Sequence, residues 1–362
     1  MKFDFDDILI EPATLSSIEH RGDINCFDEN NMLPLFTAPM DTVICKENEN
    51  LFHKNGINTI LPRTYSKEFN EDDPEPGFVA LGLDQFIKIF IKNKIPLICT
   101  NRICIDIANG HMKKLADAVE EAKTIHGKNL ILMVGNVANP KTFFYLSNLG
   151  ADYIRVGIGN GGGCLTTQNV GIGYPLASLI IDIQQEKIRR WQENGNFINY
   201  AKLVADGGMK NYSDIIKALF LGSDYAMVGS IFNKALESAG DTFKANVRHK
   251  GNNEEWLEPG EQVNQFSKET AEAFKYENKF FKKFRGMSTK QVQQILGNKE
   301  IRTSEGVTRI QPVEYTISGW VENFKHYLST AMSYTDSREL KEFIGNDKFN
   351  IITQNSFKRF NK

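Results

Sequence analysis

A chain of 362 residues with 41% hydrophobic residues is long enough to bury a large core. Its formal net charge of -2 gives no electrostatic footprint for nucleic acid, while leaving room for a local basic pocket that takes a phosphate. The acidic start MKFDFDDILIEP lacks the apolar core of a signal peptide. No apolar run reaches the roughly 18 residues of a membrane span. The five cysteines, Cys26, Cys45, Cys99, Cys104 and Cys164, are scattered and lack zinc-site spacing. The expectation is a cytoplasmic protein with reduced thiols, no membrane partner and no nucleic-acid partner.

Eight short, β-prone apolar runs follow in chain order: 35–40, 58–63, 78–83, 103–109, 130–137, 153–159, 202–208 and 225–230. Most are continuous rather than alternating, which suits strands of a parallel sheet covered on both faces. Helical patterns lie between several of them. HMKKLADAVEEAKTIHG sets Met112, Leu115, Ala116 and Val119 on one face and can stop at Gly127. NPKTFFYLSNLG has Pro140 near its start and Gly150 after its end. NYSDIIKALFLG offers Asn211 or Ser213 as N-cap and closes at Gly222. Strand and helix repeated about eight times predict an α/β fold, a TIM (β/α)8 barrel, with a doubly wound open sheet as the alternative. The pattern breaks after the eighth strand. Residues 240–315 are polar and charged and read as a long segment without regular elements, a flap or lid, in which RHKGNNEEWLEPGEQ is an exposed loop or hairpin. Helical pattern returns in VENFKHYLSTAMSYTDSRELKEF. No repeat or linker divides the chain, so residues 1–362 are expected to form a single barrel domain.

In a barrel the loops after the strands build the active-site face, and those after strands seven and eight commonly hold a phosphate. Strand seven ends at Asp206-Gly207-Gly208 and strand eight at Gly229-Ser230. Glycines there let backbone N–H groups approach an anion, and Asp206 can accept hydrogen bonds from ribose hydroxyls. One glycine pair alone would more simply be a turn; two at these strands favour the phosphate. The loop after strand six reads RVGIGNGGGCLTTQNVGIGYP. A lone cysteine is usually a small core residue, and Cys26, Cys45, Cys99 and Cys104 read that way. Cys164 differs, because glycines crowd the residues before it and Thr166 and Thr167 add hydroxyls, the setting of a reactive thiol.

FDDILIEP, APMDTV, CIDIANGH, VGNVANPKTF, VGIGNGGGCLTT, GIGYP, ADGG, FRGMST and RTSEG together resemble the IMP dehydrogenase / GMP reductase family nearly end to end. The resemblance implies that Cys164 attacks C2 of a purine nucleotide, that Thr166 assists, and that a thioimidate links two half-reactions. It implies a monovalent cation, potassium, held by carbonyls of the loop at Gly159, Gly161, Cys164 and Thr167. It places substrate contacts at Asp206, Gly207, Gly208, Gly229, Ser230, Gly286, Met287, Ser288, Arg302, Ser304 and Gly306. Cofactor contacts fall at Arg63, Asp106, Ile107, Ala108, Ile158, Gly159 and Met287. The reductase branch is the nearer one. Only about forty residues separate Arg63 from Asp106, too few for the dehydrogenases' domain-sized insert. KQVQQILGNKEI lacks the Arg-Tyr pair of their flap, and RTSEG, CIDIANG and GIGYP look like the reductase. The implied reaction is NADPH-dependent conversion of GMP to IMP and ammonia, with Glu305 aiding proton delivery to the leaving amine, in a homotetramer. The alternatives are a dehydrogenase oxidising IMP or another purine nucleotide with NAD, and a non-catalytic nucleotide binder. Several positions depart from the pattern. Gly162 stands for a phosphate-binding serine and Arg63 for a lysine. Thr167 stands for an arginine and Val307 for a lysine. Ser230 looks like the dehydrogenase, and His20-Arg21 matches a cofactor-contacting pair only with an insertion.

Overall fold

The computed structural model describes residues 2–65, 77–93, 101–194, 199–250, 254–297, 303 and 306–360. Each of the eight apolar runs contains a strand: β1 Leu35–Thr37, β2 Ile60–Leu61, β3 Phe78–Leu81, β4 Arg102–Asp106, β5 Ile131–Val137, β6 Tyr153–Val156, β7 Lys202–Asp206 and β8 Tyr225–Val228. They form one eight-stranded parallel sheet in the order β1-β8-β7-β6-β5-β4-β3-β2. The ring closes between its ends. Thr37 N–H donates to the Asn58 carbonyl at 2.9 Å, and Asn58 N–H donates to that of Leu35 at 3.1 Å. A closed parallel barrel with helices around it is a TIM barrel.

The continuous apolar runs have a plain cause. Successive side chains of a strand point to opposite faces, and both faces here are dry. Ile103 and Ile105 join the cluster under the helices, while Cys104 between them faces the barrel interior. Leu203 and Ala205 likewise face outward and Val204 inward. Phe36, Phe78, Tyr153 and Tyr225 meet across the interior, mostly edge to face, with ring centroids 5.0–5.9 Å apart. They fill the end of the barrel away from the strand-end loops.

The expected helices form, with the expected stops. Lys113–His126 ends on Gly127 at φ +55. Pro140–Asn148 starts behind Asn139, whose side chain accepts from Lys141 N–H. Tyr212–Phe220 is capped by Asn211, not Ser213, through the Asp214 N–H. The last barrel helix, Ile317–Tyr334, buries Trp320, Phe324 and Leu328 at a four-residue spacing.

Residues after the barrel strands differ from the expectation of an irregular segment. Four strands, β9 Thr242–Lys250, β10 Glu254–Val263, β11 Phe280–Arg285 and β12 Thr308–Pro312, form an antiparallel sheet in the order β10-β9-β11-β12. The hairpin of β9 and β10 contains the stretch anticipated as a loop or hairpin. The sheet hides in the sequence because its alternation runs through charged residues. In FFKKFR, Phe280, Lys282 and Phe284 face inward, and Lys282 is fully buried.

Candidate active site

Strand alternation carries Arg155 of β6 into the barrel, one layer above Tyr153. There it meets the ends of two other strands. Its Nη1 donates to Asp106 Oδ1 at 2.7 Å, and Nη2 and Nε donate to Asp206 Oδ2 at 2.8 and 3.2 Å. Asn136 of β5 donates to the same Asp206 oxygen at 2.7 Å and to the Gly157 carbonyl at 2.9 Å. Four strands are thus tied together at the strand-end face. Burial works against the guanidinium's charge, but Asp206, Cys104 and Asp106 outweigh it and hold its pKa above the ordinary arginine value. Asn136 also fixes the loop after β4: its N–H donates to the Ile107 carbonyl and its carbonyl accepts from Gly110 N–H. Asp106 and Ile107 are half-buried there, and Ala108 is exposed. Arg63, just after β2, lays its guanidinium against Gly82 at the end of β3. A Cβ on Gly82 would stand 2.9 Å from its Nη2, so glycine is what lets the cation lie there.

The loop after β6 turns sharply. Gly159 sits at φ +79, and a Cβ there would fall 1.7 Å from Thr167 Oγ1. Thr167 closes the loop on itself, donating to the carbonyls of Ile158 at 3.3 Å and Ile172 at 2.7 Å. Cys164 N–H donates to the Gly161 carbonyl at 2.9 Å, and Gly171 N–H to that of Thr167 at 2.9 Å. The result presents Cys164 to solvent, its Sγ 3.3 Å from Thr166 Oγ1. The other described cysteines, Cys26, Cys45 and Cys104, are buried. Burial pushes the thiols of Cys45 and Cys104 up to about 12 and raises that of Cys26, so none of them ionises near neutral pH. Cys99 lies outside the described residues.

Two other segments close on this loop. Gly207, at φ +87 after β7, would place a Cβ 2.8 Å from the Gly161 nitrogen, and Gly208, at φ +79, packs against Asn160. Gly229 after β8 fits against Met40 and Ala38. From the antiparallel sheet, Val307 N–H donates to the Gly163 carbonyl at 3.1 Å, and Cys164 pairs with Gly306 as an antiparallel bridge. Gly286 N–H donates to the Val307 carbonyl at 3.0 Å; half-buried Met287 and exposed Ser288 follow it. The structure therefore gathers Cys164, Thr166, Gly161, Gly207, Gly208, Gly286 and Gly306 at one place, with Ser230 beside Gly162. Arg302, Ser304 and Glu305 lie outside the described residues.

Sequence reasoning missed several participants. Arg155 is one: a lone arginine in the apolar run YIRVGIG, opposite runs that end in aspartate, was the available signal. Arg309 and Phe284 are others. Arg309 stacks its guanidinium on the Phe284 ring at 4.7 Å, and a Cβ on Gly163 would meet that ring at 2.8 Å. Asp41 and Arg285 form a buried ion pair under the same segment, and burial raises the Asp41 pKa against the pull of Arg285.

Among the described residues no cluster of His, Cys, Asp and Glu could hold a metal ion, and no helix is long and apolar enough to cross a membrane. Residues 93–252 match the family model described as the IMP dehydrogenase / GMP reductase domain. The chain is 26% identical to GMP reductase of Caenorhabditis elegans, over 98% of this chain and 92% of that protein. It is 26% identical to GMP reductase of Onchocerca volvulus, over 99% and 93% of the two chains. Homo sapiens GMP reductase 1 is also 26% identical, over 98% and 96%. A closed parallel barrel, an exposed cysteine on the loop after its sixth strand, and alignment over nearly the whole chain agree in what the chain is similar to: the IMP dehydrogenase / GMP reductase family.

Proposed function

We propose that this enzyme is a GMP reductase, converting GMP to IMP and ammonia at the expense of NADPH. The observation that carries the reading is the exposed Cys164 thiol, 3.3 Å from the Thr166 hydroxyl, on a loop braced by the glycine turn after β7. The relatives' shared name, GMP reductase, supports the substrate.

The Cys164 thiolate adds to C2 of the guanine. The 2-amino group takes a proton and leaves as ammonia, which gives a thioimidate between Sγ and C2. Thr166 and Glu305 deliver that proton, since amide ion is too poor a leaving group to depart unprotonated. NADPH, when bound, supplies a hydride to C2. Collapse then expels the Cys164 thiolate and releases IMP. Asp206, whose three protein donors converge on Oδ2, has Oδ1 to offer a ribose hydroxyl. The turns at Gly207-Gly208 and Gly229-Ser230, with Gly286, Met287, Ser288 and Gly306, would surround the nucleotide, and the family resemblance adds Arg302 and Ser304 to its contacts. Arg63 at the rim, with Asp106, Ile107, Ala108, Ile158, Gly159 and Met287, suits a phosphate-bearing nicotinamide cofactor.

Potassium fits the chemistry of the loop. The carbonyls of Gly159, Gly161, Cys164 and Thr167 are neutral oxygen donors. Those of Gly161 and Thr167 each accept one N–H and keep a second lone pair. When bound, the ion would hold the loop carbonyls together; the protein alone already fixes the turn through Thr167. Residues 240–315 would serve as the flap of one catalytic unit spanning 1–362, working as a cytoplasmic homotetramer.

The test is nicotinamide absorbance with GMP plus NADPH and, separately, IMP plus NAD. Loss of NADPH with one ammonia released per IMP formed is the expected result. Steady NADH production from IMP without ammonia would assign the dehydrogenase reaction, and inertness with both pairs would assign a binding role.

A further inference from the structure

Gly162, on the cysteine loop, puts no side chain toward Arg309 and Ser230. A Cβ built on it would lie 3.7 Å from Arg309 Nη2 and 3.8 Å from Ser230 Oγ. Two side chains from distant parts of the chain, β12 and the turn after β8, therefore converge on one point, and among the described residues, chain neighbours aside, no other atom lies within 4 Å of it.

The arginine is held in place. Its Nε donates to Gln311 Oε1 at 3.2 Å, its Nη1 reaches the Gly162 carbonyl at 3.5 Å, and its plane rests on Phe284 at 4.7 Å. Gln311 is itself buried and anchored: its Nε2 donates to Asn233 Oδ1 at 2.7 Å and to the Ser230 carbonyl at 3.4 Å. Among the described residues these partners are all neutral, so they position the guanidinium without cancelling its charge. A planar, pre-oriented guanidinium suits a phosphate, which it can bind through two parallel hydrogen bonds. The glycine turn after β7 stands on the same loop, against Gly161.

We propose that Arg309 binds the phosphate of the substrate nucleotide, in the space left by Gly162 and together with the Ser230 hydroxyl, and that Gln311 positions it. This rests on the nucleotide reading above and extends it to a specificity residue: the site selects a nucleoside 5′-monophosphate over the nucleoside.

Calorimetric titration of wild type, Arg309→Ala, Arg309→Lys and Gln311→Ala with GMP, IMP and guanosine tests it. Arg309 is exposed, so its loss should spare the fold. Arg309→Ala is expected to weaken both nucleotides at least tenfold and guanosine less than twofold. Arg309→Lys should fall between, because lysine keeps the charge but loses the fork. Guanidinium ion added to Arg309→Ala should restore part of the affinity, which a merely structural role would not allow. In turnover the change should appear in KM rather than kcat. Unchanged nucleotide affinity in Arg309→Ala, equal losses for GMP and guanosine, or a wild type that binds neither nucleotide would overturn the proposal. Arg309-dependent binding in a protein that turns over neither GMP nor IMP would leave it standing while the reductase reading fails.

Discussion

Replacing Arg155 with Met should be among the most damaging single changes in the barrel. The side chain is only 7% exposed, and it separates two carboxylates that are themselves 16% and 15% exposed. Removing it leaves Asp106 and Asp206 across the interior from each other with no cation between them. Breaking a buried pair in this way typically costs about 3–5 kcal/mol, because the orphaned charge keeps its desolvation penalty. Two carboxylates are orphaned here, so the upper end is expected. Urea denaturation followed by circular dichroism measures the loss. The same substitution combined with Asp106→Asn and Asp206→Asn removes the orphaned charges and should recover at least half of it. A loss below about 1 kcal/mol, well short of a broken buried pair, would refute the reasoning. So would a triple variant no more stable than the single one.

Gly207→Ala and Gly127→Ala share a positive φ, but only the first meets a backbone nitrogen, at 2.8 Å, while the second meets nothing within 4 Å. Both should lose at least about 1–2 kcal/mol to positive-φ strain, Gly207→Ala the more because its Cβ must also displace backbone, and only Gly207→Ala should also lose turnover; equal activities would contradict the coupling of that turn to the cysteine loop. Lys282 donates to the carbonyls of Ser238 and Gly240, and burial lowers its pKa to about 7. The folded state thus releases this proton before the unfolded chain does, so the lysine's contribution to stability rises as pH increases above about 7. Melts of wild type and Lys282→Met from pH 6 to 9 should shift in favour of wild type with rising pH, and parallel curves would refute the titration. Glu305→Gln should slow ammonia release by about 10²–10⁴-fold. Single-turnover hydride transfer from IMP to the oxidised cofactor should survive better, and equal losses would recast Glu305 as a residue that positions substrate.

The barrel was legible because its strands are short apolar runs dry on both faces, and each of the eight anticipated runs contains a strand. The helix stops at Gly127, Gly150 and Gly222 were legible because each has a positive φ that glycine takes without strain. The antiparallel sheet was not, since Lys282 and Lys283 in FFKKFR read as solvated charge until the fold buries one of them. Arg155 was missed for a related reason. A charge in an apolar run looks like an interruption, and only the pleat and the neighbouring strands show that it faces Asp106 and Asp206. Cys164 stood out because glycines and threonines surround it. Arg309 could not, because its link to Gly162 spans nearly 150 positions and exists only once β12 lies beside the loop.

The claim that Cys164 is the nucleophile toward a purine nucleotide is tested most directly by covalent trapping. Protein inactivated with a 6-halopurine riboside 5′-monophosphate, digested and mapped by mass spectrometry, should carry one nucleotide adduct on the peptide containing Cys164. Excess GMP should protect it. An adduct on Cys26, Cys45, Cys99 or Cys104, or inactivation without any cysteine adduct, would contradict the account.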